Sequence, residues 1–160
     1  MIGIGELREK YERIVEQSQL KEQITFSGPM SPEDVMEHME EADIFLFTSD
    51  RQEGWGAVLN EAMISGCAVV ACKEIGSVPY LIEGGDNGFV YDKGDKKSLY
   101  RCVKRIIDDE KLRIQMQYRA YQTMHDVWNA EVAANRLLYL IDCIKKGKET
   151  GYTSGPCSRD

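Results

Sequence analysis

The chain has 160 residues, 42% of them apolar and 29% charged, which is the size and composition of one soluble domain with a single core and excludes a complete two-domain enzyme of the usual length. Its formal net charge of −7 argues against nucleic acid as a partner, because neutralising phosphates calls for a basic face. No apolar run approaches the roughly 20 residues needed to span a bilayer, and Glu6, Arg8, Glu9 and Lys10 leave no signal-peptide core behind Met1, so a cytoplasmic protein is expected.

From Leu7 to Gln19 the spacing of Leu7, Tyr11, Ile14 and Val15 predicts a helix with one apolar stripe, and Ile24 to Phe26 reads as a short strand. Ser31 and Pro32 open the next helix: the serine caps free backbone N–H groups, proline suits the first helical position, and Glu33 and Asp34 suit the positive end of the dipole. Asp43 to Thr48 and Ala68 to Cys72 are continuous apolar runs, as expected of strands covered on both faces. Between them lie a glycine-bearing loop, Asp50 to Gly56, and a short helix, Ala57 to Ser65, stopped by Gly66. Gly88 to Tyr91 is a weaker strand, and two or three helices follow from Lys96 to Lys146. The alternation predicts an α/β fold with a doubly wound parallel sheet and a helical C-terminal end. Five cysteines without a C-x-x-C pair suggest reduced, structural thiols rather than a zinc site or a disulfide framework.

In an open parallel sheet, ligands bind beyond the carboxyl ends of the strands, which directs attention to the loop after Thr48. Glu53-Gly-Trp-Gly56 stands just ahead of a helix. Its glycines let backbone approach a ligand, and the helix start presents N–H groups without acceptors, an arrangement that suits a pyrophosphate. The same glycines would also serve an ordinary strand-to-helix turn. Glu61 lies on a helix that is apolar on nearly every side, and its side chain leans towards Ala57 and Val58. There it could accept two hydrogen bonds from a ribose diol, or be a surface glutamate on a half-exposed helix. His38 and His125, both distant from the loop in sequence, are read as non-catalytic. Lys73 and Glu74 border the pocket as second-rank contacts, and Lys93, Lys96 and Lys97 are read as a solvated turn and helix start.

The segment Thr48-Ser-Asp-Arg-Gln-Glu-Gly-Trp-Gly-Ala-Val-Leu-Asn-Glu-Ala-Met63, followed by Ser65-Gly-Cys-Ala-Val-Val70, resembles the E-x7-E region of the retaining GT-B glycosyltransferases of family 4. Ile2-Gly-Ile-Gly5 resembles the family's Gly-x-Gly turn, and Thr25-Phe-Ser-Gly28 the turn flanking its nucleobase pocket. The resemblance runs from about Ile2 to Ile144. It implies a donor-binding domain, Rossmann-like, over 1–146, while 147–160, rich in Gly, Ser and Thr, is expected from its composition to be a disordered tail. It further implies a UDP- or GDP-sugar donor and no metal ion. Glu53 would bind the transferred hexose as the catalytic-site carboxylate, and Glu61 the ribose. Gly54, Trp55, Gly56, Ala57 and Val58 would surround the pyrophosphate, with Gly5, Ser27 and Gly28 completing the donor site.

Family members enter this domain through a strand, an arginine-bearing turn and a helix with an early lysine, and they carry an N-terminal acceptor domain; the resemblance here starts after those features. Ile75-Gly-Ser-Val-Pro-Tyr80 also puts Tyr80 where many members have a glutamate. The expectation is therefore a truncated donor half, inactive in transfer by itself, whose full-length enzyme builds bacterial polysaccharide or glycoconjugates at the inner face of the membrane. Without the central strand, the Asp43 strand would present an unpaired apolar edge, which predicts either self-association or a folded state of low stability. A non-catalytic nucleotide-sugar-binding module and a GT-B UDP-sugar epimerase are the alternative readings.

Overall fold

A computed structural model describes Ile2 and residues 5–158. The chain divides into two compact units, Met1–His38 and Met39–Asp160.

In the first unit, α1 spans Arg8–Gln17. The next helix, α2 (Pro32–Glu41), begins in this unit and ends in the second. Its start follows the expected chemistry, with the Asp34 backbone N–H donating to Ser31 Oγ at 3.1 Å. The strand expected at Ile24 to Phe26 does not form. Among the described residues of this unit, an isolated parallel bridge joins Ile2 and Gly28. A β-propensity becomes a strand only where a neighbouring backbone extends the ladder, and among the described residues Ile24 to Phe26 form no ladder.

The second unit is built on a parallel sheet of β1 (Ile44–Phe47), β2 (Ala68–Cys72) and β3 (Phe89–Tyr91), in the order β1-β2-β3. Ile44 pairs with Ala68 and Val70 with Phe89. All five residues of the central β2 are buried, which is why its sequence is continuously apolar rather than alternating. After β1 come α3 (Val58–Ile64), then β2, α4 (Val78–Leu81) and β3. Leu59, Ala62 and Met63 form the buried face of α3, while Glu61 and Ile64 stay exposed.

Three longer helices follow β3: α5 (Lys96–Asp108), α6 (Glu110–Gln122) and α7 (Ala130–Lys145), with one π-helical turn, Thr123–Val127, between the last two. Each starts on a side-chain cap: Asp95 accepts from the N–H of Ser98 at 2.9 Å, Asp109 from Leu112 at 3.0 Å and Asn129 from Val132 at 2.8 Å. Such a cap contributes about 1 kcal/mol. Helices α5 and α6 both pack on β2, and Ile106, Met116 and Ala120 close the core over it. Residues 147–158, expected to be a tail, form no helix or strand, and part of the segment meets α7. The Arg136 guanidinium lies 4.5 Å from the centre of the Tyr152 ring and donates to the carbonyl of Ser154 at 2.6 Å.

Candidate functional site

The loop between β1 and α3 is shaped by short-range contacts. Asp50 is extended and its Oδ1 accepts from the Gln52 N–H at 3.0 Å, capping a single 3-10 turn, Arg51–Glu53. Ser49 Oγ donates to Glu53 Oε2 at 2.9 Å, steadying the first of the two candidate glutamates. Gly54 (φ 64°) and Gly56 (φ 78°) occupy left-handed conformations, which side chains rarely tolerate. The loop is then bound to the one after β2: Gly76 N–H donates to Gly54 O at 2.8 Å and Ser77 N–H to Trp55 O at 3.0 Å. A Cβ at Gly76 would overlap the Gly54 carbonyl, and one at Gly56 would stand 2.8 Å from the Phe47 ring. Two glycines thus allow close packing, and the N–H groups of Ala57 and Val58 head α3 as first-turn donors without intrahelical acceptors.

Both glutamates are solvent-exposed. Glu61 avoids the cost of burying a charge because α3 turns its buried face away from it. It opens onto a hollow of about 650 Å³ shared with Asn60, Met124, His125, Trp128 and Glu131. The hollow does not include Glu53 or the loop glycines. The structure therefore places Glu61 beside the start of α7, a grouping that the sequence does not reveal, because His125 and Trp128 are far along the chain. His125 itself is exposed, accompanied by Asp126 Oδ1 at 2.7 Å and stacked on Tyr121.

Trp55 joins the loop to its surroundings. Its Nε1–H donates to Asn60 Oδ1 at 3.0 Å, and its ring meets Tyr80 at 5.7 Å and Trp128 at 5.8 Å between centroids. At the carboxyl ends of the strands, Lys93 pairs with Asp50 at 2.9 Å and with Glu74 at 3.6 Å, and Lys73 pairs with Asp92. The Lys93 hydrogen bond, helped by the Gln52 N–H, lowers the Asp50 pKa below the usual aspartate range. The same bond raises the Lys93 pKa. Lys73 and Glu74, read as bordering the pocket, are thus each occupied in an ion pair.

In the first unit, Arg8 is a residue that the motif left unmarked. Its N–H donates to Gly5 O at 3.1 Å and its guanidinium to Phe26 O at 3.1 Å. A Cβ on Gly28 (φ 77°) would stand 3.1 Å from Arg8 Nη1. Gly5, Phe26 and Gly28 thereby gather around one arginine, with half-buried Ser27 between the last two. Among the described residues no cluster of three or more His, Cys, Asp or Glu is arranged to hold a metal ion.

The family model described as Glycosyl transferases group 1 matches residues 1–123. The chain belongs to this family. Among relatives, the lipopolysaccharide core biosynthesis glycosyltransferase LpsE of Rhizobium meliloti (strain 1021) is 24% identical over 88% of this chain, which spans 40% of that relative's length. Among solved structures, the C-terminal domain of the group 1 glycosyl transferase LpcC from Francisella tularensis superposes with a TM-score of 0.71 at 27% identity, covering 78% of this chain and 63% of that one. Anabaena HepE, in complex with UDP-glucose, gives 0.67 at 25% identity, covering 78% of this chain and 35% of that one. The fold is that of the C-terminal, Rossmann-like domain of a GT-B glycosyltransferase. No helix among the described residues is long and apolar enough to cross a membrane.

Proposed function

We propose that this chain supplies the donor half of a retaining, family 4 glycosyltransferase that moves a hexose from a nucleotide sugar to a glycan or glycoconjugate, in the cytoplasm at the inner face of the membrane. The observation that carries the reading is the loop held between Phe47 and α3, in which Gly54 and Gly56, packed against Gly76 of the loop after β2 and against Phe47, leave backbone donors at the helix start, with Glu53 and Glu61 in solvent. The HepE complex with UDP-glucose supports a nucleotide sugar as the ligand, and residues 1–146 are assigned as its binding domain on the resemblance alone. In this reading the N–H groups at Gly56 to Val58 receive the pyrophosphate, with Gly54 and Trp55 forming the loop around it. Glu61 accepts from the ribose hydroxyls, and Glu53 from those of the hexose. Gly5, Ser27 and Gly28 are assigned to the nucleotide on the resemblance alone. Pre-aimed amides would stabilise charge on the departing diphosphate without calling for a metal. Acceptor recognition is assigned to a separate domain.

Calorimetric titration with UDP, GDP, ADP and their glucose conjugates tests the reading. One nucleotide series should bind. Glu61→Ala should weaken the free nucleotide and its sugar conjugate alike, by up to about 1.5–3 kcal/mol for each lost charge-assisted hydrogen bond. Glu53→Gln should weaken only the conjugate. Equal affinity of Glu61→Ala and wild type would remove the ribose assignment, and equal loss of both ligands in Glu53→Gln would make Glu53 structural.

A further inference from the structure

We propose that Tyr80, the exposed end of an aromatic column formed with Trp55 and Trp128, is a stacking surface for a pyranose ring. The location rests on the donor-site reading above, and the ring belongs either to the transferred hexose or to the sugar that receives it.

The column is built from three elements. Trp55 stands on the glycine loop, Tyr80 on α4 and Trp128 just after the π-helical turn. Trp55 and Tyr80 are stacked, with 29° between their planes, while Trp128 is tilted by 46° to Trp55. Ser77 ties the first two rings together at the backbone: its N–H donates to Trp55 O at 3.0 Å and its carbonyl accepts from Tyr80 N–H at 3.1 Å. With Asn60 holding the indole N–H, the rings are fixed before any ligand arrives, which reduces the ordering cost of binding. Even so, Trp55 remains 41% exposed and Tyr80 48%.

Keeping two rigid rings half in water forgoes hydrophobic stabilisation, and the chemistry of the surroundings restricts what would cover them. A π face is electron-rich, so a phosphate is disfavoured on the rings themselves. Three rings are far smaller than the roughly 800 Å² per partner of a stable protein interface. A pyranose fits: its axial C–H groups form an apolar face, and its hydroxyl rim can donate to carboxylates such as Glu53, two residues before Trp55. Trp55 and Tyr80 also lie on the segments that leave the carboxyl ends of β1 and β2, where open parallel sheets bind small ligands.

Wild type, Tyr80→Ala and Tyr80→Phe would each be titrated with UDP, UDP-glucose and maltotriose, following the fluorescence of Trp55 and Trp128, with circular dichroism to confirm folding. The expected result is equal UDP affinity in all three proteins. Tyr80→Ala should lose about three- to tenfold for UDP-glucose or for maltotriose, in line with an aromatic contact, and Tyr80→Phe should keep wild-type affinity. Loss confined to UDP-glucose identifies the donor sugar, and loss for maltotriose the receiving sugar. Equal loss for UDP and UDP-glucose would mean the ring touches the nucleotide and would overturn the proposal. So would a Tyr80→Phe defect as large as that of Tyr80→Ala, or wild-type binding of both sugars by Tyr80→Ala. Failure of UDP to bind any of the proteins would count against the donor-site reading instead. In that event the maltotriose titration, repeated by saturation-transfer NMR, decides the ring's role: no transfer to maltotriose in wild type, or equal transfer in Tyr80→Ala, overturns it.

Discussion

Gly76 donates its backbone N–H to the carbonyl oxygen of Gly54 at 2.8 Å, and no side chain fits between the two loops. Gly76→Ala should therefore force the loops apart and cost about 1–3 kcal/mol, as overpacking does. Gly54→Ala meets open space but must hold φ at 64°, a backbone strain of about 1–3 kcal/mol. Urea denaturation of both variants provides the measurement. An unchanged midpoint for Gly76→Ala would show that the loops are not joined in solution.

The Lys93–Asp50 pair fixes the start of the same loop, and its pH dependence has a definite sign. Asp50 has a lowered pKa in the folded state, so its contribution is present above the unfolded value and is lost as pH falls through the folded one. Lys93 has a raised pKa, so its contribution is present below the unfolded value and is lost as pH rises through the folded one. The pair thus acts between about pH 4 and about pH 10.4, and salt screens it. In Lys93→Met the Asp50 carboxyl titration, read by carbon NMR, should move up towards the ordinary aspartate range. A titration curve identical to wild type would remove the ion pair from the account.

Thiol reactivity should divide the cysteines by burial. Burial, with a smaller contribution from Asp43, pushes the Cys67 pKa up to about 11, and its Sγ donates to Met39 O at 3.1 Å. Cys72 and Cys143 are also buried, whereas Cys102 and Cys157 are partly exposed. Iodoacetamide at pH 7.5, a value chosen at about one unit below the ordinary thiol pKa, should label Cys102 and Cys157 first. Early labelling of Cys67, seen by peptide mass spectrometry, would contradict its burial and its hydrogen bond to Met39.

Among the described strands β1 pairs only with β2, and Leu46 on it is 44% exposed. An apolar strand edge favours strand addition, so sedimentation velocity should show concentration-dependent self-association, reduced in Leu46→Lys. A monomer at every concentration tested would remove the edge from consideration.

The sequence by itself determined the elements whose causes are local. A continuous apolar run marked β2 because a central parallel strand buries both faces. The same pattern marked β1 as a strand, but its expected cover on both faces is incomplete, with Leu46 exposed. Ser31 marked the entry to α2 because a cap acts within one turn. The spacing of Glu53 and Glu61 on either side of two glycines likewise marked the loop and helix of the candidate site. Tertiary structure alone decided what depends on distant partners. Ile24 to Phe26 has the residues of a strand, but a ladder needs a second backbone, and among the described residues no ladder extends the bridge of Ile2 to Gly28 into this segment. The hollow beneath Glu61, the Trp55–Tyr80–Trp128 column and the Gly76–Gly54 contact join segments far apart in the chain. Their residues carry no shared periodicity, because packing between elements is set by the geometry of the whole sheet and helix layer rather than by any local pattern.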